Sequence, residues 1–297
     1  MISFEGSGVA LVTPFKGTDP LKPEIDEKAL RDLVEWHLSE GTDVIVPCGT
    51  TGESATLDYG EHDRVIRIVV EQVKGRVPVL AGTGANSTVE AIEMTQRAKK
   101  IGADGSLQVT PYYNKPTQEG LYQHFEAIAD AVDTPILLYN VPGRTAVNLL
   151  PETVERLSKI KNIIGIKEAS GNLEQVQKVI HLCGPDFTVL SGEDAQNFEI
   201  LEMGGRGTIS VTANVVPGKL ARMWDLFSQG KKEEARKMHK ELLPLHEAVF
   251  FETNPIPVKT ALGMMKRCSS QMRLPLCAMG EANAAKLKNV LKEYKLL

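Results

Sequence analysis

Eight short runs of β-branched and apolar residues recur along the chain, and an amphipathic stretch separates each run from the next. Strands that alternate with helices favour a parallel sheet, and eight such units are the number that closes a sheet into a (β/α)8 TIM barrel. At 297 residues the chain suits one barrel of about 250 residues with an extension, and an open doubly wound sheet is the alternative. The predicted strands span residues 8–13, 43–47, 78–82, 105–109, 135–139, 163–167, 187–191 and 207–211.

Helix signals lie between the predicted strands. Asp26 and Glu27 open an amphipathic helix that ends at Gly41, where a glycine suits the left-handed conformation at a helix end. The sequence Ser-Thr-Val-Glu that starts at Ser87 predicts a capping box at the beginning of a second helix, which ends near Gly102. These signals support the alternation of strands and helices.

The end of the chain has a different pattern. Residues 217–227 form the predicted last barrel helix. The sequence beyond Gly230 has a helical pattern that is interrupted at prolines. We therefore predict a catalytic barrel over residues 1–229 and an all-helical C-terminal region over residues 230–297. Because that region contains no candidate catalytic cluster, we expect it to have a structural or interface role.

Charge, apolar runs and cysteines restrict the class of protein. A net charge of −4 provides no basic stripe for nucleic acid, so a small molecule is the expected partner. No apolar run reaches the roughly 18 residues of a membrane helix, and the amino terminus lacks a signal-peptide pattern, so we expect a cytoplasmic protein. The cysteines lack metal-ligand spacing, which predicts reduced packing residues and no metal site: Cys48, Cys183, Cys268 and Cys277.

Lys167 ends the sixth predicted strand, and Tyr139 ends the fifth. Period-two alternation predicts that both side chains point into the barrel with Ile163 and Gly165, while Ile164 points to the helices. An inward lysine is desolvated, which favours the neutral amine that attacks a ketone, and a neighbouring phenol can pass protons as the carbinolamine collapses. We expect Gly165 to leave volume for a ligand beside the amine.

Both side chains also have a structural interpretation. Lys167 could form an ion pair with Glu168 or Glu193, and its position alone does not decide between this role and catalysis. Tyr139 could cap the barrel by bonding its hydroxyl to a backbone carbonyl. The proximity of the amine and the phenol favours imine chemistry for the pair.

The segment Gly-Thr-Thr-Gly-Glu over residues 49–53 follows the second predicted strand, where a catalytic-face loop begins. Its glycines let backbone N–H groups approach a ligand and its hydroxyls add donors, which suits a small carboxylate. The alternative is a turn that caps the next helix. Residues 82–84, Gly-Thr-Gly, lack the third glycine of a dinucleotide fingerprint, so no nucleotide cofactor is predicted.

Three further side chains follow predicted strands on the same face. Arg144 lies just past Tyr139, where a guanidinium could hold a second carboxylate, although loop arginines are commonly solvated. Tyr112 and Tyr113 follow the fourth strand, and their rings could equally pack on a neighbouring subunit. Each side chain alone is a weak signal.

Several segments together resemble one family. Residues 49–53, 139–145, 165–168 and 191–194 occur in the order typical of the dihydrodipicolinate synthase and N-acetylneuraminate lyase family, and the resemblance covers the whole chain. Arg144 after Tyr-Asn-Val-Pro-Gly, and Thr-Pro-Tyr-Tyr-Asn over residues 110–114, resemble the dihydrodipicolinate synthase branch. The resemblance implies a TIM-barrel lyase of the class I aldolase type.

The resemblance also implies a mechanism. Lys167 would form an imine with pyruvate, and the derived enamine would attack L-aspartate 4-semialdehyde. The cyclised product would be 4-hydroxy-tetrahydrodipicolinate, an early intermediate of the diaminopimelate route to lysine, with no metal or diffusible cofactor. The implied site residues are the catalytic Lys167, Tyr139, Thr51 and Tyr113, the last from a neighbouring subunit, and the substrate-binding Thr50, Thr51, Arg144, Gly192 and Ile209.

Regulation and assembly are implied in the same way. The family is mostly tetrameric, as a dimer of dimers, and inhibited members bind L-lysine in a cleft between two subunits. Glu90 would offer its charge to the amine of lysine, while Tyr59 stands where sensitive members often carry histidine. The implied lysine-binding residues are Ser54, Ala55, Leu57, His62, Asn86, Glu90 and Tyr112.

Two other functions remain open at this point. A related lyase that cleaves a 2-keto-3-deoxy sugar acid to pyruvate would use the same Lys167 and Tyr139, and Arg144 separates it from the synthase because a sugar pocket more often needs hydroxyl-reading side chains. A barrel that binds pyruvate or lysine without turnover is the alternative from another class. The complete set of reactive side chains weighs against it, because binding alone needs no nucleophile.

Overall fold

Eight parallel strands form one curved sheet in the computed structural model, which describes residues 3–19 and 21–297. The described residues form ten strands, of which all but β2 and β3 belong to this sheet: β1 (Gly6–Ala10), β2 (Phe15–Lys16), β3 (Glu24–Ile25), β4 (Val44–Val46), β5 (Leu80–Gly82), β6 (Gly105–Val109), β7 (Ile136–Asn140), β8 (Ile163–Glu168), β9 (Thr188–Ser191) and β10 (Gly207–Ser210). The sheet order is β4-β1-β10-β9-β8-β7-β6-β5, and a parallel bridge between Ile45 and Val79 brings its two ends together. The predicted TIM barrel is confirmed, while β2 and β3 pair as a separate antiparallel hairpin that was not predicted.

The first strand lies earlier than predicted. The prediction placed it at residues 8–13, whereas β1 covers Gly6–Ala10 and pairs Gly6 with Gly207 of β10. The apolar run continues past the strand because Val12 is also buried, with its N–H donated to the side-chain oxygen of Asn214 at 3.1 Å. At this end a side-chain acceptor thus replaces the backbone hydrogen bonds of the sheet. The amino-acid composition of such a segment does not distinguish it from a strand.

Helices follow the barrel strands and cover the outside of the sheet. They are α1 (Glu27–Ser39), α2 (Tyr59–Val73), α3 (Thr88–Ile101), α4 (Gln118–Ala131), α5 (Pro142–Thr145), α6 (Pro151–Leu157), α7 (Leu173–Cys183), α8 (Asn197–Glu202), α9 (Pro217–Ser228), α10 (Lys232–Ala248), α11 (Ile256–Met264) and α12 (Glu281–Glu293). In the part of the chain that the structure describes, no helix combines the length and apolarity needed to cross a membrane.

The two predicted helix starts have different outcomes. The Asp26 side chain accepts the N–H of Ala29 and caps α1, as expected. The capping box predicted at Ser87 is wrong, because the Ser87 side chain makes no capping hydrogen bond. Glu90 instead accepts the hydroxyl of Tyr59 at 2.6 Å, so this carboxylate faces the neighbouring helix α2.

Strand side chains divide between two apolar layers. One layer fills the barrel interior and includes Val46, Leu137, Tyr139, Leu190 and Ile209. The other lies between the sheet and the helices and includes Leu138, Ile166 and Val189. This alternation places the Tyr139 ring inside the barrel, as predicted.

The last three helices pack against the barrel. Their buried side chains belong to the same apolar core as those of α1 and α2, including Leu242, Leu245, Leu262, Leu287 and Leu291. The division into residues 1–229 and 230–297 stays a prediction. Among residues 3–19 and 21–297, the four cysteines are free, and no group of three or more His, Cys, Asp or Glu side chains could hold a metal ion.

Candidate active site

Lys167 and Tyr139 are neighbours inside the barrel. The two residues pair directly in the register of β7 and β8, and both are buried, with 5% and 8% of their surface exposed. Lys167 Nζ lies 4.3 Å from the centroid of the Tyr139 ring. The predicted proximity of the amine and the phenol is therefore confirmed by the strand register.

The beginning of β8 departs from strict alternation. Ile136 pairs with Ile163, but the next residue, Leu137, pairs with Gly165, so Ile164 is an extra residue in β8. As a result Ile163 lies in the layer next to the helices, and Ile164 packs against the interior layer. The prediction for these two isoleucines is wrong because a bulge shifts the alternation by one residue.

Lys167 forms no ion pair with a carboxylate in the described residues, which removes the structural alternative considered for it. Glu168 points away from the interior and accepts hydrogen bonds from Asn140, the Ser170 N–H and Gln175. Burial raises the pKa of the Glu168 carboxyl, and these donors offset part of that effect. The Lys167 amine is thus left free to meet a ligand.

Two glycines, Gly165 within β8 and Gly192 directly after β9, allow close contacts. A Cβ on Gly192 would lie 2.9 Å from Cε of Lys167, so the absence of a side chain gives the lysine stem its path. A Cβ on Gly165 would lie 2.3 Å from the carbonyl oxygen of Thr188. The expectation that Gly165 leaves volume for a ligand is wrong, because the neighbouring strand β9 occupies that space.

The loop over residues 49–53 presents two threonines to the cavity above Lys167. The N–H groups of Gly52 and Glu53 are used inside the loop, where they donate to Gly49 and Thr50 at 3.1 Å each. No acceptor among the described residues takes the N–H of Thr50 or Thr51, and both residues line the cavity. The loop is a turn, as its alternative interpretation held, but it also leaves two donors for a small anion.

Asn254 joins the predicted residues Thr51 and Arg144. Its side-chain amide donates to the Thr51 hydroxyl at 3.0 Å, and its backbone carbonyl accepts from the Arg144 guanidinium at 3.2 Å. Asn254 lies just before α11, in the region expected to have no part in the site. Sequence reasoning missed it because an asparagine before a proline ordinarily indicates a turn.

A buried ion pair supports the same loop from below. Glu53 Oε1 lies 2.5 Å from Lys259 Nζ, which also donates to the carbonyl of Thr13 at 3.0 Å. Glu53 Oε2 accepts the backbone N–H of Arg273 at 3.1 Å. Burial lowers the pKa of Lys259, and the neighbouring Glu53 opposes this effect. The C-terminal region therefore holds the end of the threonine loop.

The candidate cavity has a volume of about 480 Å³ and brings most of the predicted residues together. Among the predicted residues, those that line it are Thr50, Thr51, Tyr139, Arg144, Lys167, Gly192 and Ile209. Tyr113 is not among them: its surface is 90% exposed, so this chain alone does not bring its phenol to Lys167. An amine, a phenol and anion donors in one cavity can form an imine with a 2-keto acid.

A second cavity of about 450 Å³ adjoins the first and shares Thr50, Arg144 and Asn254 with it. Asn86 does not line it but donates to the carbonyl of Tyr112 at 3.2 Å. Tyr59 lines the cavity together with most of the residues implied for lysine binding, which are Ser54, Ala55, Leu57, His62, Glu90 and Tyr112.

Known proteins resemble the chain along its whole length. A model of the dihydrodipicolinate synthetase family matches residues 3–294. The 4-hydroxy-tetrahydrodipicolinate synthase of Geotalea uraniireducens (strain Rf4) is 60% identical over 294 residues, which are 99% of this chain and 100% of that protein. The likeness is thus not confined to the motifs.

Two solved structures add ligands to this picture. The dihydrodipicolinate synthase from Acinetobacter baumannii, crystallised with pyruvate, has a TM-score of 0.96 and 45% identity, and the match covers 99% of this chain and 100% of that one. The enzyme from Cyanidioschyzon merolae with lysine bound has a TM-score of 0.94 and 42% identity, with 99% of both chains covered. Both ligands belong to those proteins.

Proposed function

The chain belongs to the dihydrodipicolinate synthetase family, and from this membership we propose that it condenses pyruvate with L-aspartate 4-semialdehyde to give 4-hydroxy-tetrahydrodipicolinate. The reaction belongs to the diaminopimelate route to lysine and needs no cofactor beyond the imine on Lys167. One observation carries the proposal. A buried lysine that forms no ion pair among the described residues lies beside a phenol, in a cavity whose hydrogen-bond donors suit an anion.

Lys167 Nζ is the proposed nucleophile. Its lone pair adds to the keto carbon of pyruvate, and the oxygen leaves as water after Tyr139 passes it a proton. Loss of a proton from the methyl group gives the enamine, whose carbon attacks the aldehyde of the semialdehyde. The amine of the semialdehyde then closes the ring on the imine carbon and releases Lys167.

The other side chains bind and orient the substrates. The free N–H groups and hydroxyls of Thr50 and Thr51 suit the pyruvate carboxylate, and Arg144 suits the carboxylate of the semialdehyde. Gly192 gives the lysine stem room, while Ile209 forms an apolar wall. Arg144 also favours the synthase over a lyase for keto-deoxy sugar acids, since a guanidinium reads a carboxylate better than it reads hydroxyls.

The test is the initial rate with pyruvate and L-aspartate 4-semialdehyde, coupled to reduction of the product. We expect a rate that saturates with both substrates, and borohydride in the presence of pyruvate alone should attach a pyruvate-derived group to Lys167. Trapping without turnover would contradict the proposed aldehyde partner. Absence of both would contradict the imine mechanism and revive the non-catalytic binder.

Tyr113 is proposed to complete the site from a neighbouring subunit of a homotetramer, where it would join the proton relay through Thr51. Its exposed ring and its position beside Tyr112, which contacts the second cavity, support a subunit interface at this face. Light scattering at assay concentration should give the mass of four chains. A fully active monomer would refute the shared site.

The second cavity is proposed to bind L-lysine as a feedback inhibitor. Glu90 supplies a carboxylate for the ligand's ammonium group, but the Tyr59 hydroxyl already donates to it, so lysine must compete with or join this contact. We expect initial rates to fall as lysine is added, and rates unchanged at saturating lysine would refute the proposal.

A cytoplasmic location is likewise proposed, and cell fractionation tests it.

A further inference from the structure

The candidate cavity contains one acidic side chain that the proposed mechanism does not use. Among the residues that line it, Lys167 and Arg144 are basic and Glu193 alone is acidic. L-Aspartate 4-semialdehyde carries a carboxylate and an ammonium group beside its aldehyde. A lysine amine, a guanidinium and one carboxylate therefore match a substrate that needs a nucleophile, an anion partner and a cation partner.

The backbone of Glu193 is fixed close to Lys167. A Cβ on Gly192, the preceding residue, would lie 2.9 Å from Lys167 Cε, and the Ser191 hydroxyl donates to the carbonyl of Glu193 at 3.0 Å. The N–H of Gln196 donates to the same carbonyl at 3.0 Å. These bonds hold the backbone at the end of β9 while leaving the carboxylate half-buried at the cavity wall.

The neighbouring acids are already occupied. Asp194 is buried, and its carboxylate accepts the N–H groups of Val211 and Thr212 at 2.9 and 2.8 Å. Glu168 is held on the other side of the sheet by amide donors. By contrast, Glu193 forms no ion pair with a lysine, arginine or histidine of the described residues, so its carboxylate is available to a cationic ligand.

We propose that the Glu193 carboxylate binds the ammonium group of the amino aldehyde and accepts its proton before the ring closes. The proposal rests on the proposed function and adds a residue that reads the substrate's amine. Burial raises the pKa of the Glu193 carboxyl, with Asp194 adding to the effect, which brings it nearer to the range of a useful general base.

Ring closure requires this proton to leave. An ammonium nitrogen has no lone pair, so it cannot attack the imine carbon until its N–H bond breaks and the proton passes to the carboxylate. The freed lone pair then forms the new C–N bond, and the electrons of the double bond of the protonated imine move to Lys167 Nζ. A proton passes from the new ring nitrogen to Nζ. The lone pair of the ring nitrogen then forms the ring C=N bond as the C–Nζ bond breaks, so Lys167 leaves as a neutral amine and the ring nitrogen releases its remaining proton to water.

The test compares two aldehydes on Glu193→Gln, which keeps the shape of the side chain and removes its charge. With L-aspartate 4-semialdehyde we expect kcat/KM to fall by about 100-fold or more, because the variant loses both a hydrogen bond to a charged group and the base that accepts the proton. Succinate semialdehyde keeps the aldehyde and the carboxylate but lacks the amine, so its adduct stays on Lys167. We expect succinate semialdehyde to react with the pyruvate-derived enamine on Lys167 at the same rate in the variant as in the wild type. Mass spectrometry of the adduct measures this rate.

Three controls make the outcome decisive. Glu193→Asp should recover part of the lost rate because it restores the charge, and Glu174→Gln, an exposed position in the first turn of α7, should match the wild type. Equal losses with both aldehydes would overturn the proposal, as would a Glu193→Gln enzyme with unchanged kcat/KM. Borohydride trapping of pyruvate on the wild type and the variant reports the imine separately, so a failure of the proposed function is distinguishable.

Discussion

Replacing Lys167 with alanine is expected to abolish turnover. Without the amine no imine and no enamine can form, so the loss should exceed the roughly 100- to 10,000-fold that removal of a general acid or base costs. The coupled assay with pyruvate and L-aspartate 4-semialdehyde measures it. Borohydride should also fail to attach pyruvate to the variant, which separates loss of the nucleophile from a defect in the later steps.

The fold of the Lys167→Ala variant should survive. The side chain lies in a cavity and forms no ion pair in the described residues, so its removal leaves no buried carboxylate unpaired. Lys161→Ala is the matched control, since Lys161 is an exposed lysine in the turn before β8. Residual turnover within tenfold of the wild type, with an unchanged circular dichroism spectrum, would show that Lys167 is not the nucleophile.

The position of this amine could be predicted from the sequence because it depends on periodicity alone. Parallel strands in consecutive units lie side by side, so Tyr139 and Lys167 must meet once the barrel is recognised. The error came three and four residues before Lys167, at Ile164 and Ile163, where an extra residue in β8 reverses the alternation. A bulge leaves no mark in the hydrophobic pattern, because both residues are isoleucine and both faces of the strand are apolar.

Contacts between residues that are far apart in the sequence were harder to predict. Asn254 reaches Thr51 across 203 positions, and nothing local to either residue encodes that contact. Glu53, Lys259 and Arg273 likewise carry ordinary surface residue types, although the fold buries all three. Charged residues are expected outside unless they are paired, and the pairing becomes visible only when the C-terminal helices are placed against the barrel.

Substitution of either Glu53 or Lys259 should strongly lower the free energy of unfolding, although neither residue belongs to the apolar core. Both side chains are inaccessible to solvent, and their atoms lie 2.5 Å apart. Either Glu53→Gln or Lys259→Met leaves one buried charge unpaired, which costs about 3–5 kcal/mol of unfolding free energy. Urea denaturation at fixed protein concentration should show a lower midpoint for each single variant.

The double variant should recover most of this loss. With Gln at position 53 and Met at position 259, no buried charge remains from the pair, and the glutamine can still accept the Arg273 N–H that Glu53 accepts now. Neutral or apolar replacements of a whole buried pair are commonly tolerated, whereas half a pair is not. Lys28→Met is the control for an exposed pair, since Lys28 and Asp32 are 84% and 60% exposed. It should change the free energy by no more than about 0.5 kcal/mol.

Recovery in the double variant would show that the instability of each single variant comes from an uncompensated charge. A double variant no more stable than the worse single variant would contradict this, because it would mean that the loop needs the charges themselves. The coupled assay on the recovered protein then addresses function. Glu53 ends the loop that carries Thr50 and Thr51. If that loop needs only a well-packed support, we expect a stable double variant to have an unchanged KM for pyruvate.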